Sequence, residues 1–138
     1  MSFTSEFETD LGKLLGIWTL KDPQVAEDFT FFQNLILEHI GAKKESRLKK
    51  VGEGWNGYVY WVSNKQVIKL TRDIKDAQAS EKIRRKPDKN LIKVYDVFEF
   101  GQPYYSTTYG IISEKLTPLS TTDFKSWDLV VQSVQRNT

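Results

Sequence analysis

The stretch from Val51 to Leu70, VGEGWNGYVYWVSNKQVIKL, constrains the fold more than any other part of the chain. Gly52, Gly54 and Gly57 stand at G-x-G-x-x-G spacing, which several unrelated phosphate-binding turns share. In a dinucleotide-binding unit the third glycine opens a helix. Here it opens Tyr58-Val59-Tyr60-Trp61-Val62, whose β-branched and aromatic side chains suit a pleated strand. Ser63 to Gln66 then supplies a polar turn, and Val67-Ile68-Lys69-Leu70 returns as a second strand carrying one lysine among apolar neighbours. The expectation is a glycine-tipped hairpin that runs directly into another hairpin.

The remaining chain arranges itself around this unit. Ser5-Glu6-Phe7-Glu8 has the form of a capping box, and Phe7, Leu11, Leu14, Leu15 and Trp18 recur at helical spacing, which predicts a helix over 6–18. Asp22-Pro23 starts a second helix whose apolar face is Phe29, Phe32, Ile36 and Ile40, and Gly41 closes it. His39 has no second histidine four residues away and reads as an ordinary helix residue rather than a metal ligand. Lys43 to Lys50 mixes acidic and basic residues without an interleaved aromatic, as a solvated connector does. A third helix, capped by Asp73, is expected up to Arg85. Leu91 to Phe100 predicts a strand, with Ile92, Val94 and Phe98 on one side and Lys93 and Glu99 on the other. Gly101-Gln102-Pro103 marks a turn, Tyr109 to Glu114 a last strand, and Phe124, Trp127, Val131 and Val134 share one face of a final helix capped near Thr122.

With 138 residues, 39% of them hydrophobic and 13% aromatic, the chain has the length and composition of one globular domain. A net charge of +2 provides no overall attraction to nucleic acid or to an anionic membrane, so neither is expected as a partner. The chain has no cysteine and one histidine, which argues against disulfides and a structural zinc site. The first residues, MSFTSEFETD, lack a basic start and an apolar run, and no later run is long enough to span a bilayer. A cytoplasmic location is the expectation.

The order G-x-G-x-x-G-x-V followed by a strand ending V-I-K resembles the small lobe of protein kinases, especially compact serine/threonine kinase-like proteins of bacteria and their viruses. Gly52, Gly54, Gly57, Val59 and Lys69 fill the motif positions. The resemblance implies an α+β domain with a five-stranded antiparallel sheet and one packed helix over residues 47–120, while the helical patterns outside it add a helical extension at 1–46, which has no counterpart in the small lobe, and a C-terminal helix at 121–138. It further implies that the glycines cover the phosphates of ATP with magnesium, that Val59 covers the purine and that Lys69 pairs with phosphate oxygens. Glu81 on the third helix is the expected partner that orients Lys69, with Asp76 as the alternative. Ser113 takes the gatekeeper position, and the backbones of Glu114 and Leu116 face the adenine edge.

The resemblance stops at the hinge. H-R-D and D-F-G are absent, and Asp123-Phe124-Lys125 carries lysine where D-F-G has glycine. These 138 residues are therefore expected to bind nucleotide without transferring phosphate, with a large lobe or another protein as partner. The competing expectation is a non-catalytic module that regulates a protein partner.

Overall fold

The computed structural model describes residues 5–43, 48–54 and 57–115. Their order is α1 (Glu6–Leu15), α2 (Pro23–Ile40), β1 (Lys49–Gly54), β2 (Gly57–Trp61), β3 (Gln66–Thr71), α3 (Ile74–Arg85), β4 (Val94–Phe100) and β5 (Thr108–Glu114). The architecture is α+β, as expected, with one five-stranded sheet in the order β1-β2-β3-β5-β4, antiparallel at every pairing. The two expected hairpins are β1–β2 and β2–β3, and β3 lies at the centre. Among the described residues no helix is long and apolar enough to cross a membrane.

Caps set the helix boundaries. The Ser5 hydroxyl accepts from the Glu8 amide at 3.1 Å, and the Asp22 carboxylate accepts from the Gln24 amide at 2.9 Å, so each helix starts where its first orphan amide finds an acceptor. The first helix is shorter than its periodicity predicts. Gly16 turns left-handed at φ 79°, the Ile17 amide bonds back to the Gly12 carbonyl at 2.8 Å, and Trp18 is left 83% exposed beyond the cap.

Because side chains alternate along a strand, the sheet has two distinct buried faces. The outer face presents Tyr60, Ile68, Leu70 and Ile112 to Leu11 and Leu15 of α1 and to Phe29, Phe32 and Ile36 of α2. Full burial of each such aliphatic side chain contributes roughly 1.5–3 kcal/mol. α1 and α2 thus brace the sheet. The inner face presents Val59, Val67 and Ile111 to Ile83 of α3 and to Ile92 and Val94. β4 departs from the expected alternation: its pairing with β5 shifts between Val94 and Asp96, so Val94 packs inward while Phe98 packs against the outer cluster. One extra residue in a strand reverses the face of everything after it.

Polar contacts fasten the helices to the sheet. His39 stacks on Phe98 with ring centroids 3.8 Å apart and meets Asp96 Oδ2 through Nδ1 at 2.6 Å, joining α2 to β4. Asp10 of α1, only 3% exposed, accepts from the Tyr60 hydroxyl and lies 3.2 Å from Lys50 Nζ, which also approaches Glu6 and Glu53. Burial opposes the Lys50 charge, but the Asp10, Glu53 and Glu6 carboxylates outweigh it and leave its pKa raised. Burial, then the bond to Asp10, pushes the Tyr60 phenol well above its ordinary value.

Two outcomes follow. Asp10→Ala leaves a buried hydroxyl unpartnered and should cost about 2–3 kcal/mol in urea unfolding, with the m-value unchanged. Because the folded state raises the Tyr60 pKa, its contribution is complete below the unfolded value near pH 10 and is lost as pH rises beyond it. Stability should therefore fall above pH 10, and Tyr60→Phe should remove up to about 1.4 kcal/mol per pH unit of that slope.

Candidate functional site

Lys69 is in the middle of β3, paired with Val59 on β2 and Ile111 on β5, and its side chain shares the inner face with both. It is 3% exposed. An ammonium in such surroundings needs a counter-charge, and Asp76 Oδ2 accepts from Lys69 Nζ at 2.8 Å, itself 4% exposed. The expected Lys69–Glu81 pair is not formed; the alternative, Asp76, takes the place. The reason is local. Asp73 caps α3 by accepting from the Lys75 amide at 2.9 Å, which puts Asp76 in the first helical turn, just beyond the end of β3. Glu81 lies five residues on, on another helical face, and Arg84 and Arg85 at i+3 and i+4 hold both its oxygens. The bond from Arg84 lowers the Glu81 pKa, partial burial opposes it, and Arg85 adds to the lowering, bringing it down to about 2.

The glycines occupy the β1–β2 hairpin. Gly52 pairs with Val59, and Gly54 pairs with Gly57 across the tip. Gly57 has a strict steric reason: a Cβ there would collide with the Leu70 carbonyl and sit 3.0 Å from the Thr71 Cα, so the hairpin tip lies directly on β3. A cleft of about 410 Å³ opens beside this tip, lined by Lys13, Leu14, Gly54, Gly57, Tyr58, Arg72, Asp73 and Lys75. Lys69 does not line it. This cleft and the buried lysine therefore lie on opposite faces of the sheet.

One row further along the inner face, Trp61, Val67 and Ser113 are cross-strand neighbours. Among the described residues, Trp61 Nε1 and Ser113 Oγ are the buried side-chain polar atoms without a hydrogen-bond partner. The Trp61 ring lies under two cations, Lys115 at 4.7 Å and Lys49 at 5.7 Å from its centroid. Glu114 is engaged with β4: its amide donates to the Lys93 carbonyl at 2.9 Å and its side chain accepts from the Lys93 amide at 3.0 Å. Its side chain therefore has a structural part, where only its backbone was expected to matter. Leu116 lies outside the described residues, as does the predicted final helix.

Trp61 was legible in principle, since it follows Val59 by two residues and so shares its face. Arg72 and Lys75 flank the cap of α3 and only the fold sets them beside the glycines. Lys13 has no sequence signal pointing there.

Compared with known protein families and with curated proteins, the chain matches none.

The buried pair makes a three-variant prediction. Lys69→Met strands a buried carboxylate and should cost about 3–5 kcal/mol, whereas Lys69→Met with Asp76→Leu should recover most of that loss. Glu81→Gln, which touches only partly exposed arginines, should change stability by less than about 1 kcal/mol. Chemical unfolding of the three proteins checks the order.

Proposed function

We propose that this chain is a kinase-like small lobe that binds ATP, with magnesium arriving on the triphosphate, and that it does not transfer phosphate by itself. The observation that carries the reading is Lys69: a lysine held by a helix carboxylate on the central strand, directly across from Val59, one strand away from a glycine hairpin. The five-stranded antiparallel sheet, with α3 following the lysine strand, supports the same reading. So do the two orphaned donors at Trp61 and Ser113, which flank Val67 on the face where the resemblance sets Val59 and Ser113 beside the adenine. A purine offers ring nitrogens as acceptors, and a buried donor gains by meeting one. Joined to a large lobe supplying base and magnesium ligands, the unit would serve a serine/threonine kinase.

A second reading has its own support. Val59, Lys69, Asp76 and Ser113 are each at most 4% exposed, so a nucleotide reaches Lys69 only if the groups covering that face move aside. Apparent affinity falls by the fraction of molecules in the open state. A permanently closed face belongs to a non-catalytic module that acts on a protein partner.

Thermal unfolding with millimolar magnesium-ATP separates the two. Binding at about ten times Kd adds about 1.4 kcal/mol, a rise of roughly 2–6 °C for a domain of this size. The Lys69→Met, Asp76→Leu protein keeps the packing and loses the phosphate contact, so its rise should vanish. An equal rise in both proteins, or none in the natural one, sinks the ATP reading.

A further inference from the structure

The cleft at the glycine tip carries a second and independent conclusion. Lys13 comes from the last turn of α1, Arg72 from the link between β3 and α3, and Lys75 from the first turn of α3. The fold brings three cations from three places in the chain around one space of about 410 Å³. All three side chains are exposed. Among the described residues no carboxylate forms an ion pair with any of them, whereas Lys50, Lys69, Arg84 and Arg85 are each paired. One carboxylate, Asp73, lines the cleft, and its Oδ1 accepts from the Lys75 amide as the cap of α3. Three cations against the one carboxylate of Asp73 leave the cleft with an excess of positive charge, and a multivalent anion placed between the cations lowers their mutual repulsion.

We propose that this cleft is a binding site for a phosphate-bearing anion of the pyrophosphate type, separate from the face that holds Lys69. Arg72 offers its planar fork to two oxygens of one phosphoryl group, while Lys13 and Lys75 act as point charges on either side. Tyr58 forms part of the wall and belongs to the outer face of the sheet, packed against the cluster under α1 and α2. Lys69 projects from the inner face. A ligand in the cleft therefore does not touch Lys69, and the site stands whether or not ATP binds on the inner face. An anion here bridges α1, the glycine hairpin and the start of α3.

The test is calorimetric titration of the full chain with inorganic pyrophosphate at constant ionic strength. The natural protein should show saturable binding, Lys13→Gln with Arg72→Gln and Lys75→Gln should weaken it at least tenfold, and Lys69→Met with Asp76→Leu should leave it unchanged. A protein with the same charge loss elsewhere, Lys82→Gln with Lys86→Gln and Lys89→Gln, should also bind as the natural protein does. A parallel titration with ATP assigns the source: tenfold weakening with ATP as well identifies the tail of a nucleotide, and weakening with pyrophosphate alone identifies a free anion. Absence of saturable binding, or equal weakening in both charge variants, overturns the proposal. If the triple variant fails to fold, amide shifts of the natural protein decide. Shifts centred on Gly57, Arg72 and Lys75 support the cleft, and shifts centred on Val67 and Ile111 overturn it.

Discussion

The ion pair between Lys69 and Asp76 is the interaction on which the inner face is arranged. Both groups are almost wholly buried, and removing two charges from water costs several kcal/mol for each ion before their attraction returns any of it. Stability alone does not account for such a pair, because well-packed apolar side chains of similar volume serve a core equally well or better. What the pair provides is position. It fixes the first turn of α3 against the central strand, so that Ile83 two turns later meets Ile92 and Val94 on the inner cluster.

The outer face explains why the N-terminal helices accompany this sheet. Tyr60, Ile68, Leu70 and Ile112 would form a broad apolar surface without α1 and α2, and a patch of that kind on a lone sheet invites association. The aromatic residues of α2 fill the space: Phe32 lies within 6 Å of both Phe100 and Tyr105, and Tyr105 in turn donates to Asp28 at 2.6 Å. Burial raises the Tyr105 pKa and the Asp28 bond adds to it, bringing it to about 12. The Asp10, Tyr60 and Lys50 contacts do the same work at the other end, where they tie α1 to the two strands that make the glycine hairpin. The helices and the sheet share one core.

Features governed by short-range chemistry were legible in the sequence. The extent of α2 follows from Asp22, Pro23 and Gly41, and the strand character of β2 and β3 follows from their β-branched and aromatic runs. The misjudged features turn on competition between local signals or on the third dimension. Trp18 continued the helical period of α1, but the left-handed turn at Gly16 ended the helix first. The alternation in β4 failed at Tyr95, where the register shift inserts one residue that no composition signal marks. The choice between Asp76 and Glu81 depended on which carboxylate faces β3 and on whether arginines capture the other. Helical spacing alone shows that Arg84 and Arg85 fall within reach of Glu81, so half of that answer was present in the residue order.

The glycine hairpin is the boundary between the two faces, and Gly57 makes it a firm one. With no Cβ, its backbone rests on the Leu70 carbonyl and on Thr71, so the start of β2 is seated against the end of β3. Val59, two residues along, faces inward toward Lys69, while Tyr58 beside it faces the cleft. Arg72 follows directly from the end of β3, three residues beyond Lys69. The inner face and the cleft are therefore set by the same two strands, although among the described residues no side chain lines both. Substituting a larger residue for Gly57 breaks this arrangement from the backbone outward, because the Leu70 carbonyl it would strike belongs to the central strand and has no freedom to withdraw.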